Sequence, residues 1–109
     1  MDEVLDKAAD LGRAIRATEK YRVLREAEGV VMKSPDSVKL AEALATLQQE
    51  KAKAAASGKP FTADAQERLD KVAAAVGLDP RLLALAKAQA EFQALVNDVS
   101  RRMLSELKP

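Results

Sequence analysis

Val4, Ala8, Leu11 and Ile15 recur with steps of four, three and four, the spacing that stacks side chains along one face of an α-helix. The pattern predicts a helix over about 2–17, with Leu5 and Gly12 widening its apolar stripe. A mid-helix glycine costs about 1 kcal/mol relative to alanine, so Gly12 predicts that another backbone passes close by. Asp2, Glu3 and Asp6 stand near the N-terminal end and Arg13 and Arg16 near the C-terminal end, the order that the helix dipole favours.

Thr18 reads as an N-cap that restarts the chain, and Tyr21, Leu24, Ala27 or Glu28, and Val31 supply the apolar face of a second helix over about 19–32. A single rod across both segments is the alternative. Two helices are preferred because such a rod is long for a globular domain. Ser34-Pro35-Asp36 combines a capping serine, a proline at the first helical position and an acid in the first turn, and it opens a third helix over about 35–57. Leu40, Leu44 and Leu47 form its stripe, which gives way to Lys51, Ala52 and Lys53, so this end is expected to be weakly anchored.

Ser57-Gly58-Lys59-Pro60 reads as a loop. Thr62 then caps a fourth helix over about 63–76, with Ala65, Leu69, Val72 and Val76 inward and Gly77 in the C-terminal glycine position. Asp79-Pro80 repeats the cap-plus-proline signal and opens the longest helix, about 80–107. On it Leu85, Phe92, Val96, Val99 and Met103 fall on heptad-like spacing with Gln89 as the polar step, while Leu82, Leu95 and Leu107 broaden the stripe. No segment alternates apolar and polar residues as a strand does. The expected fold is all-α: one domain over 1–109, an antiparallel bundle of about five helices with a long C-terminal helix.

Composition narrows the chemistry. Tyr21, Phe61 and Phe92 are the aromatic residues, so the core rests on aliphatic side chains and 22 alanines, which let helices approach closely and disfavour a large ligand cavity. Without cysteine the chain has no disulfide, thiolate metal site or thiol nucleophile. Without histidine it also lacks the commonest general base and metal ligand. No catalytic residue, cofactor or metal is expected, and the chain reads as a non-enzyme. Met1-Asp2-Glu3 is acidic rather than basic and no apolar run approaches the roughly 20 residues that span a bilayer, so a cytoplasmic protein without membrane association is expected.

The charges, 18 basic and 17 acidic, are interspersed. That balance disfavours a dedicated polyanion binder. The one basic cluster is Arg13, Arg16, Lys20, Arg22 and Arg25, set against Glu19 alone. Arg13 with Arg16, and Arg22 with Arg25, share helix faces and suit phosphates or an acidic partner, yet Asp10, Glu26 and Glu28 are placed to pair with them. Single-stranded nucleic acid normally requires aromatic platforms, and only Tyr21 lies nearby, so a nucleic-acid-binding module is the alternative reading. Glu91 and Asp98 share a face of the last helix, where Lys87 and Arg101 account for both as solvated pairs. The four glycines are scattered singly, which leaves no phosphate loop.

The strongest interaction signal is the stripe Leu85, Phe92, Val96, Val99, Met103 and Leu107, which at 1.5 Å per residue spans about 33 Å. The fourth helix is too short to cover it. Either the first two helices fold back over it, or a second subunit does, and both coverings can serve different parts of its length.

The chain resembles the YlbF/YmcA family of small bacterial helical proteins. The resemblance runs through Ala8-x-x-Leu11-Gly12-x-Ala14-Ile15, Thr18-Glu19-Lys20-Tyr21, Ala27, Pro35-Asp36, Leu40, Leu47-Gln48-Gln49, Gly58 and Pro60 before Thr62, and the Gln89 to Val99 stretch. It implies an all-helical fold, homo- or hetero-oligomers, and regulation without catalysis. Family members act with a third protein on competence, biofilm formation, sporulation and messenger-RNA processing through an endoribonuclease. Some are associated with iron–sulfur clusters held by cysteines, a property that a chain without cysteine does not inherit. The resulting expectation is an oligomeric adaptor, a homo-oligomer or bound to a protein partner, with helix surfaces as its working parts.

Overall fold

The computed structural model describes residues 2–109 and contains five α-helices: α1 (Glu3–Arg16), α2 (Glu19–Met32), α3 (Pro35–Ala56), α4 (Ala63–Val76) and α5 (Pro80–Ser105). No strand occurs among the described residues, so the fold is all-α. The helix starts follow from local capping chemistry. Asp2, Ser34 and Thr62 each accept a hydrogen bond from a first-turn backbone N–H, satisfying donors that no helical carbonyl can reach. Thr18 breaks the first two helices apart: its hydroxyl donates to the Ile15 carbonyl at 2.7 Å and accepts from the Tyr21 N–H at 3.2 Å.

Two expectations at helix ends need correction. Helix α5 stops at Ser105, so Leu107 lies beyond the last helical turn rather than on the stripe. Gly77 closes α4 with φ −65°, a helical value open to any residue, so it does not supply the left-handed cap. Gly58 does adopt that conformation, at φ +68°. There Lys59 N–H reaches back to the Ala54 carbonyl at 2.9 Å, which turns the chain out of α3.

The chain forms two compact units, one comprising Gly29–Ala84 and the other Met1–Glu28 with Leu85–Pro109. Within the first, α3 and α4 lie antiparallel. Late α3 meets early α4 where Lys51 Nζ donates to Gln66 Oε1 at 2.9 Å, and early α3 meets the turn that follows α4 where Ser37 Oγ donates to Asp79 Oδ2 at 2.6 Å. Val31, Ala65, Leu69 and Leu82 are buried here. The end of α3 is better tied than its lysines suggest, because Lys51 Nζ also lies 5.9 Å from the centre of the Phe61 ring.

The second unit contains α1, most of α2 and the greater part of α5. Tyr21 and Phe92 pack with ring centres 5.7 Å apart and planes inclined by 60°, one of the tilted geometries that aromatic quadrupoles favour. Lys20 Nζ stands 3.4 Å from Glu91 Oε2. Among the described residues only Ala88 of this unit is fully buried.

Candidate protein-interaction surface

The residues expected on the interacting stripe divide along α5. Leu85, Phe92, Val96 and Val99 are half-buried, whereas Met103 is 51% exposed and Leu107 78% exposed. Gln89 points outward and Ala88 takes the inward place beside it. A straight helix turns 3.6 residues per turn rather than 3.5, and the inward face follows that drift instead of the heptad. The apolar stripe is therefore continuous, without the polar step.

The sequence also predicts an apolar face on α1 with another backbone passing close to Gly12. Helix α1 has no buried residue at all. Val4 is 74% and Leu5 66% exposed, while Leu11 and Ile15 are half-buried. Val4, Lys7, Ala8, Leu11, Gly12 and Ile15 together with Met103 line an open groove of about 580 Å³. Gly12 faces open space: among the described residues, no atom beyond its own neighbouring turns of helix backbone lies within 4 Å of where its Cβ would stand. Among the described residues, none supplies the close backbone approach expected there. Helical periodicity identifies the residues that share a face but carries no information about what lies against it. The signal that pointed to this surface was Gly12 and Ala8, two small residues in the middle of an apolar stripe.

The basic cluster is largely neutralised. Arg13 pairs with Asp10, Lys20 with Glu91, and Arg25 with Glu28 at 3.2 Å. Arg22 bridges Glu26 at 2.5 Å and Glu19 at 3.1 Å. The hydrogen bond to Glu26 raises the Arg22 pKa further above its already high ordinary value, with Glu19 adding to it. Among the described residues, only Arg16 of the five has no carboxylate partner within 4.0 Å. These pairs are exposed and add little stability. Their effect is to cancel the field that would draw in a polyanion.

Acidic chemistry finds no assembled site either. Asp98 pairs with Arg101 and Glu91 with Lys20, and they border a hollow of about 220 Å³ with Lys20, Ala94 and Leu95. Among the described residues no three acidic side chains stand close enough to hold a metal ion. Among the described residues no helix is long and apolar enough to cross a membrane.

What the surface offers is apolar area. Val4, Leu5, Met103, Leu104 and Leu107 are all at least half exposed in one unit in which Ala88 is the only buried side chain among the described residues. Burying one Val, Leu or Ile side chain completely contributes roughly 1.5–3 kcal/mol, a stabilisation that this unit forgoes while its face is bare.

Comparison with known proteins follows the same lines. A family model described as control of competence regulator ComK, YlbF/YmcA, matches residues 4–108. Among solved structures, a "Protein of Unknown Function (DUF964)" from Bacillus stearothermophilus is similar with a TM-score of 0.80. The match covers 97% of this chain and 93% of that one at 19% identity, a likeness of fold. No curated protein matches the chain in sequence.

Proposed function

The chain belongs to the YlbF/YmcA family, a family of regulators, and from that premise we propose that it is a non-catalytic, oligomeric adaptor acting through helix–helix contacts with other protein chains. The observation that carries this reading is the bare apolar face of α1, in a unit that among the described residues buries only Ala88. A folded unit with so small an interior gains stability from a further protein surface. The processes it serves are those that the family implies: competence through its regulator, with RNA processing and biofilm development downstream, in the cytoplasm. The absence of histidine and cysteine and the neutralised arginines favour this reading over both an enzyme and a nucleic-acid module.

The test is made in the bacterium. Replacing the chromosomal copy with Leu11→Asp places a charge in the groove on a helix that has no buried residue to lose, so the chain stays folded and abundant. Expression of a competence-gene reporter is expected to fall to the level of a deletion strain. Wild-type regulation by an abundant Leu11→Asp chain would refute the proposal.

A further inference from the structure

Resting on that reading, we infer that the groove on α1 is occupied by α1 of a second copy of this chain, running antiparallel, with Val4 facing Ile15 and Ala8 facing Leu11 across a two-fold axis. Three observations converge on it. The first is the pattern itself. The stripe Val4, Ala8, Leu11, Ile15 has the same steps read from either end, and a two-fold interface demands that symmetry, because if one residue meets another the reverse contact is also made. Reversed upon itself the stripe sets Val4 against Ile15 and Ala8 against Leu11, so every layer is apolar. The Ala8–Leu11 layers place a small side chain against a large one, as interdigitating helices require.

The second observation is charge. Asp2, Glu3 and Asp6 occupy one end of α1, Arg13 and Arg16 the other. A parallel pair would align acid with acid and base with base. The antiparallel pair brings each acidic end level with a basic one and also opposes the two helix dipoles. Asp6 and Arg16 have no opposite charge within 4.0 Å among the described residues, so both remain available to that field. The third observation is room. Ala8 and Gly12 are exposed, and among the described residues no other part of the chain than Gly12's own stretch of helix backbone lies within 4 Å of a Cβ built on Gly12, which lets a second backbone approach along the middle of the helix. Met103 of the same unit borders the groove and extends the apolar floor beneath the incoming helix.

The chain contains no cysteine, so single-cysteine variants report the register directly. Val4→Cys and Ile15→Cys are made separately, mixed at equal concentration, left to exchange and then oxidised mildly, with products resolved by mass. The mixture is expected to give at least about tenfold more cross-linked dimer than either variant alone, since only facing positions reach the Cα spacing that a disulfide needs. Alone, each variant's thiols sit roughly 16 Å apart along the axis, at 1.5 Å per residue over the stretch from Val4 to Ile15. Efficient cross-linking of Val4→Cys alone means a parallel pair and overturns the inference, as does a mixture that yields no more dimer than its components. If the mixture fails while Leu11→Asp still abolishes regulation in the bacterium, the groove binds a different protein and the adaptor reading survives. If the mixture succeeds and Leu11→Asp regulates normally, the pairing is real and the adaptor reading fails.

Discussion

Ser37 Oγ donates a hydrogen bond of 2.6 Å to Asp79 Oδ2, joining residues 42 positions apart in the sequence. Ser37 is only 1% exposed, and Asp79 uses its other oxygen to accept from the backbone N–H groups of Arg81 and Leu82 at 2.9 and 3.3 Å. One carboxylate thus caps α5 and anchors the first turn of α3. A hydroxyl with so little access to water depends on this acceptor, because an unsatisfied buried donor bears the full cost of its desolvation.

Ser37→Ala removes the donor without leaving a buried polar atom unpaired, but it frees Asp79 from its main restraint. The melting temperature is expected to drop by several degrees, whereas Ser105→Ala, on an exposed serine bonded to the adjacent Arg102 carbonyl at 2.7 Å, leaves it unchanged. Thermal unfolding followed by circular dichroism measures both.

Acid unfolding carries the signature of the same pair. The hydrogen bond from Ser37 holds the Asp79 carboxyl below its ordinary pKa, aided by the backbone N–H groups of Leu82 and Arg81 and opposed by desolvation. As acid is added the unfolded chain therefore takes up this proton first. The stabilisation is complete above the ordinary carboxyl range and is lost as pH falls below about 4. Urea titrations across that range are expected to show a steeper loss for the wild type than for Ser37→Ala, and equal slopes would contradict the assignment.

Truncations in the two units should differ sharply. Leu69 is 8% exposed, so Leu69→Ala is expected to cost about 2–5 kcal/mol. Val4→Ala, on the bare face of α1, is expected to change the stability of the dilute protein by less than about 0.5 kcal/mol while weakening self-association. Urea denaturation at low and high protein concentration separates the two effects.

The aromatic pair Tyr21–Phe92 joins α2 to α5 within one unit. A double-mutant cycle through Tyr21→Ala and Phe92→Ala is expected to return a coupling of about 0.5–1.5 kcal/mol. A coupling near zero would mean that the rings only share a neighbourhood.

Purified protein is expected to retain RNA no better after Arg16 and Arg22 are restored than in the doubly substituted Arg16→Glu, Arg22→Glu form. The pairs with Glu19, Glu26, Glu28, Asp10 and Glu91 leave little positive field to lose. Binding that falls linearly with the logarithm of salt concentration for the wild type alone would reinstate the nucleic-acid reading.

Local chemistry made the elements legible. Ser34-Pro35, Thr62 and Asp79-Pro80 each cap the helix they announce, and Thr18 breaks the chain where its hydroxyl can serve both flanking helices. These signals act within a few residues of one another, so they survive without tertiary knowledge. The Ser37–Asp79 bond does not, because nothing near Ser37 announces a partner 42 residues away. The face of α1 was read correctly as an apolar face, but the backbone expected beside Gly12 is not supplied by the described residues of this chain. Its periodicity is the same whether the neighbour is another helix of the chain or another molecule, and burial alone distinguishes them. Gly77 and Gly58 illustrate the same limit: both follow helices, but only Gly58 takes the left-handed conformation.

Amide hydrogen exchange along Glu3–Arg16, followed as the protein is diluted, tests most directly whether α1 is covered by another chain. Protection of those amides is expected to rise with protein concentration in step with the mass measured by light scattering, while amides of α3 and α4 stay protected throughout. Strong protection of α1 at a dilution where the chain is monomeric would show that its apolar face is closed within a single molecule, and the account would be wrong.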